Sequence, residues 1–207
     1  MPAEFFQRAD SASDDLFYQE PRYVTHIDDA TIEALTAFYA ETIPAGSDVL
    51  DLMSSWVSHL PTDVEYGRVS GLGMNEQELA TNPQLDDYVV HDLNAAPELP
   101  FLDGSFDFVV NAVSVQYLTR PAEVFASIAR VLRPGGTSMV SFSHRMFPTK
   151  AVAVWQQLSR DDRARLVGSY HVLAEGFEDP VFVDRSPEGA DPLWVVVARR
   201  RGDVLLA

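Results

Sequence analysis

Two hydrophobic periods alternate along this chain and divide it into helices and strands. The first helical pattern is ATIEALTAFYAETIP, where Ile32, Leu35, Phe38 and Tyr39 recur at helical spacing behind a capping Asp28 or Asp29, with Pro44 past its end. From Ser47 onward, short apolar runs predict strands at Asp48–Leu52, Tyr66–Gly71, Asp87–His91, Phe106–Asn111 and Thr137–Phe142. Between them lie helices expected at Ser54–Leu60 (cut short by Pro61), Asn75–Ala80 and Pro121–Leu132. The last of these has Pro at its first turn and Arg130 and Arg133 at its end, as the helix dipole favours. Arg133-Pro134-Gly135-Gly136 then reads as a turn.

A helical insertion follows at about 145–175, with helices expected over Lys150–Leu158 and Asp161–Leu173. Two closing runs, Val181–Asp184 and Leu193–Arg199, flank the turn-rich SPEGAD and predict a hairpin. Strands alternating with helices and ending in a hairpin define an α/β fold, doubly wound, with a mostly parallel seven-stranded sheet, an antiparallel C-terminal hairpin and helices on both faces. Residues 1–46 form a lead-in and helix suited to a lid or cap, and 47–207 form the α/β domain.

Composition narrows the function classes. A formal charge of −16, from 31 acids against 15 bases, argues against a nucleic-acid surface, which needs Lys and Arg to displace counterions. The absence of cysteine excludes disulfides, thiolate zinc sites and a Cys nucleophile. No His-Glu-x-x-His pattern suggests a metal site, so none is expected. No apolar run reaches the length of a bilayer span and MPAEFFQRADSASDD does not order itself as a signal peptide, so a cytoplasmic protein without a membrane partner is expected. The exposed edge of the closing hairpin would suit a homodimer.

The candidate chemistry centres on DVLDLMSSWVSHLP. A buried strand ending in Asp51-Leu52 runs through Ser54-Ser55 toward a helix, and such a bend aims free N–H groups at a polar ligand.

With the strands placed, Ser47–Phe142 resembles the class I S-adenosylmethionine-dependent methyltransferases, whose fold is Rossmann-like. The resemblance rests on Leu99-Pro100-Phe101, Asp103-Gly104-Ser105-Phe106-Asp107 and Arg133-Pro134-Gly135-Gly136 at the family's spacing, with LWVVVARR as its closing strand. It implies S-adenosyl-L-methionine as cofactor and a small-molecule acceptor. The family's first motif places an acid before a Gly-x-Gly turn. Asp51 matches, but Met53 and Ser55 hold the glycine positions, which costs about 1–3 kcal/mol for each side chain forced to positive φ.

Ser54 and Ser55 are candidates to hold the methionine end of the cofactor. Gly73 stands where the family carries its ribose-binding acid, leaving Asn75 or Glu76 to replace it. Asp92 and Leu93 match the adenine-binding position, and Asn111 with Ala112 would line the pocket below the cofactor. His144 and Tyr117 are candidate catalytic groups, with Arg145 beside His144 to hold an anionic acceptor; alternatively His144 caps the strand and Arg145 pairs with a surface acid. Tyr18, Arg22, Tyr23, His26, Met146, Phe147, Lys150 and Trp155 would build an acceptor pocket or simply pack. The altered glycines leave a second possibility, a methyltransferase-like binding or interaction domain without activity.

Overall fold

The computed structural model describes residues 1–202, so residues 203–207 of the expected α/β domain lie outside the described part. Its strands are β1 (Asp48–Leu52), β2 (Arg68–Gly73), β3 (Asp87–Val90), β4 (Phe106–Ala112), β5 (Leu132–Phe142), β6 (Val181–Asp184) and β7 (Trp194–Arg199). They form one sheet in the order β3-β2-β1-β4-β5-β7-β6. Strands β1 to β5 are parallel, and β7 runs antiparallel to β5 and β6. This is the Rossmann-like, mostly parallel seven-stranded sheet that the alternation implies.

The helices are α1 (Asp14–Phe17), α2 (Asp29–Thr42), α3 (Glu76–Thr81), α4 (Pro121–Val131), α5 (Ala153–Gln157) and α6 (Arg160–Leu173). Successive strand residues point to opposite faces, so the inner strands β1, β2, β4, β5 and β7 feed two cores. Val49, Val69, Val110 and Val195 pack with Leu35, Phe38 and Tyr39 of α2 on one face. Leu50, Leu52, Leu72 and Val109 pack with Phe125 and Ile128 of α4 and Val167 and Tyr170 of α6 on the other. Each such side chain, fully buried, contributes roughly 1.5–3 kcal/mol. Helix α2 is thus a layer of the sheet itself, while the segment before it crosses the ends of the strands.

Two local expectations change. Residues 54–60 form no helix; Met53 and His59 take left-handed backbone angles, φ 59° and 56°. Carbonyls along the segment accept from distant side chains instead. Asn82 Nδ2 donates to Ser55 O, Gln84 Nε2 to Leu60 O and Thr36 Oγ1 to His59 O. The Arg133–Gly136 turn is absorbed into the start of β5 at an irregularity in its pairing with β4. There the Arg133 guanidinium bridges Asp48 at 2.7 Å and Asp107 at 2.6 Å, tying the β1 and β4 starts together.

Candidate active site

Strand order reverses between β1 and β4, and a crevice outside the carboxyl ends of such strands is where open α/β sheets bind ligands. A cleft lies there with about 1130 Å³ of atom-free space, its open mouth included. Asp51, Ser54, Ser55, Asn75, Asp92, Leu93 and Tyr117 all line it. His144 and Asn111 do not.

Asp51, near the end of β1, is buried, and its carboxylate accepts a hydrogen bond from Ser54 Oγ at 2.5 Å. Burial raises its pKa from 3.8 to about 6, against the pull of the Ser54 and Ser58 hydroxyls. The bend after β1 keeps a glycine-like backbone with methionine in place, since Met53 has φ 59°. Ser54 N then donates to Leu72 O at 2.7 Å, pinning the bend to the end of β2. This contact explains Gly73. A Cβ there would lie 2.2 Å from Ser54 O, so the position cannot carry an acid while the bend holds this path.

Helix α3 supplies the polar wall beside Gly73. Asn75 caps it, accepting from Gln77 N and Glu78 N at 3.0 Å each, and donates to Tyr18 O and Gln19 O. Glu76 is exposed. Glu78, one turn on, is the acid that faces the cleft. Its Oε1 accepts from Arg22 N and its Oε2 from Ser55 Oγ, both at 2.6 Å. The sequence reading missed Glu78; its helical position on the side of the cap was the available signal.

Asp92 follows β3 and accepts from Asn94 N at 2.8 Å and Ala95 N at 3.2 Å, which fixes its carboxylate in a tight turn at the cleft. Asn111 has a different task. Its Nδ2 donates to Leu52 O and Ser114 Oγ, clamping β4 to β1 behind the cleft wall. Tyr117 Oη accepts from Phe147 N at 2.8 Å, and burial raises the phenol's pKa. At neutral pH it is a neutral donor rather than a base.

His144 is half exposed, with Nε2 3.1 Å from Asp191 Oδ1, and Arg145 Nε reaches the same carboxylate at 3.0 Å. Both brace the loop before β7. Asp191 in turn accepts from Asp28 N, so this ion pair supports the start of α2 and not the cleft.

The segment before α2 roofs the cleft with Asp14, Tyr18, Arg22, Val24, Thr25 and His26. Phe147 joins them from the loop after β5. Lys150, fully buried, anchors the roof through Asp10 and Asp14, each at 3.1 Å. Arg8 Nη1 donates to both oxygens of Asp14 at 2.8 Å, and Asn94 Nδ2 donates to Oδ2 from the cleft floor at 2.8 Å. Tyr23 packs on Trp56 at the surface, whereas Met146 and Trp155 pack against the core. His59 also lines the cleft; burial lowers its pKa from 6.5 to about 4.

Fold and cleft together define an open α/β domain with a roofed cleft at its switch point. Residues 57–140 match the methyltransferase domain family. A stretch of 86 residues, 42% of this chain, is 31% identical to the biotin biosynthesis bifunctional protein BioHC of Cellvibrio japonicus, of which it covers 16%. A stretch of 74 residues, 33% of this chain, is 36% identical to the 27-O-demethylrifamycin SV methyltransferase of Amycolatopsis mediterranei, covering 27% of it. The chain therefore matches only a minor part of either relative's length. Among solved structures, a SAM-dependent methyltransferase from Aquifex aeolicus superposes with a TM-score of 0.60 at 16% identity, over 84% of this chain and 94% of that one. The central segment matches the methyltransferase domain family, and the chain has the class I S-adenosylmethionine-dependent methyltransferase fold.

Proposed function

We propose that this protein is an S-adenosyl-L-methionine-dependent methyltransferase acting on a small-molecule acceptor. The observation that carries the proposal is a single roofed cleft at the switch point with Asp51 and Asp92 both on its wall. The donor set suits the cofactor. Carboxylates at Asp51, Glu78 and Asp92 favour a ligand bearing a sulfonium and an ammonium group. The Met53 bend, held in the conformation a glycine would take, preserves the close backbone approach that the family's glycines provide.

Asp92 and Leu93 would hold the adenine, Glu78 the ribose hydroxyls in place of the excluded acid at Gly73, and Asp51, Ser54 and Ser55 the methionine end. When bound, the cofactor supplies a methyl group already attached to its leaving group. The protein's own residues orient and exclude water. The roof from Asp14 to His26 shields the cleft, and Tyr117, a neutral phenol, donates a hydrogen bond to a polar atom of the acceptor.

No helix among the described residues is long and apolar enough to cross a membrane. Calorimetric titration with S-adenosylmethionine and S-adenosylhomocysteine tests the proposal. Saturable binding of both is expected, and no heat at millimolar ligand would overturn it.

A further inference from the structure

The lining of the cleft is acidic, and Arg22 is its single Arg or Lys. The guanidinium is held in place from behind. Its Cζ lies 4.3 Å from the Phe17 ring centroid and 5.7 Å from that of Phe147, while Phe17 is braced on its own account by Lys150 Nζ at 5.1 Å. The backbone is held too, since Arg22 N donates to Glu78 Oε1 at 2.6 Å. Yet Arg22 Nη1 is buried with no hydrogen-bond partner. A buried charged donor left unpaired is costly, and proteins ordinarily satisfy such groups. Neither nearby carboxylate bonds it: Glu78 accepts from Arg22 N and Ser55 Oγ, and Asp14 is engaged by Arg8, Lys150 and Asn94.

We infer that Arg22 is a carboxylate receptor within the cleft, its guanidinium set on the cleft wall to meet an anionic group of a bound ligand. The planar fork of guanidinium donors matches a carboxylate's two oxygens, and the aromatic rings behind it fix the plane in which that match is made. For its ligand the inference rests on the proposed methyltransferase reading, in which the carboxylate belongs either to the amino-acid end of the cofactor or to the acceptor.

The full chain and its Arg22→Gln and Arg22→Lys variants are titrated with S-adenosylhomocysteine and with 5′-methylthioadenosine, which shares the nucleoside thioether but lacks the amino-acid carboxylate. Benzoate and benzamide are then titrated with and without saturating S-adenosylhomocysteine. If the cofactor supplies the carboxylate, Arg22→Gln weakens S-adenosylhomocysteine by at least about tenfold and leaves 5′-methylthioadenosine nearly unchanged, with Arg22→Lys between. If the acceptor supplies it, the ratio of the two nucleosides is kept and the preference for benzoate over benzamide disappears in Arg22→Gln. A variant that keeps both ratios, whatever its overall affinity, overturns the inference and reduces Arg22 to a brace of the roof. Failure of the wild-type chain to bind either nucleoside overturns the methyltransferase reading instead, and Arg22 is then judged by the benzoate preference alone.

Discussion

Gly73 and Ser54 meet so closely that a Cβ on the glycine would stand 2.2 Å from the serine carbonyl oxygen. The acid missing from the end of β2 and the altered bend after β1 are therefore one structural event. The bend rides against the end of β2, fixed by Ser54 N on Leu72 O, and the space for a side chain at position 73 is gone. Gly73→Asp is accordingly expected to lower stability by about 1–3 kcal/mol, the usual range for overpacking, and to weaken S-adenosylhomocysteine rather than strengthen it. Urea denaturation and calorimetry of the variant check both halves.

Glu78 takes the carboxylate role that position 73 cannot. Its two oxygens are already aligned by Arg22 N and Ser55 Oγ, and each keeps lone-pair capacity for a further donor. Glu78→Gln should weaken S-adenosylhomocysteine by roughly tenfold, in keeping with a lost charge-assisted hydrogen bond, whereas Glu76→Gln on the exposed side should leave it unchanged. Equal effects from the two substitutions would remove Glu78 from the site.

Lys150 is fully buried between Asp10 and Asp14 and also donates to Ala12 O at 2.9 Å. Removing the charge leaves Asp10 without its ion pair, Asp14 with Arg8 as its remaining cationic partner, and Ala12 O facing an apolar side chain. Lys150→Met should therefore release the roof before the sheet unfolds. Limited proteolysis is expected to cut between residues 1 and 26 markedly faster in the variant; an unchanged digestion pattern would show that the roof is held by its other contacts.

His171 lies wholly buried, with Nε2 3.0 Å from Ser138 Oγ and Nδ1 3.1 Å from Val167 O. Desolvation lowers its pKa from 6.5 to about 4. Between those values the unfolded chain takes up a proton that the folded chain refuses, so this group's contribution to stability is full above pH 6.5 and declines as pH falls toward 4. Asp51 works in the opposite sense: with a folded pKa near 6 against 3.8, it favours the folded state increasingly as pH falls through that window. Replacing His171 with Gln isolates the first effect. The stability difference between the wild type and the variant should shrink from pH 7 to pH 4 in urea titrations, and a difference independent of pH would contradict a neutral buried imidazole.

Much of the sheet was legible in the sequence because its strands carry their own signal. Val49-Leu50 and Val109-Val110 alternate between two cores, and Asp28 and Pro121 mark helix starts by local chemistry. Asp51, Asp92 and Tyr117 could likewise be placed, since each sits at the end of a strand or just beyond one. The segment after β1 was not legible, because Asn82, Gln84 and Thr36 capture its carbonyls from far along the chain. Glu78 escaped notice for the same reason: its partner Arg22 is 56 residues away. His144 looked well placed after β5, but only the fold shows that Asp191, from the loop before β7, claims it.

The most direct measurement is a crystal structure of the protein grown with S-adenosylhomocysteine. The expected result is density for the ligand in the cleft under the roof, with its adenine beside Asp92 and its amino-acid end at the Met53–Ser55 bend. Density elsewhere, or an empty cleft in crystals whose protein remains saturated with ligand in solution, would contradict the assignment of this cleft as the cofactor site.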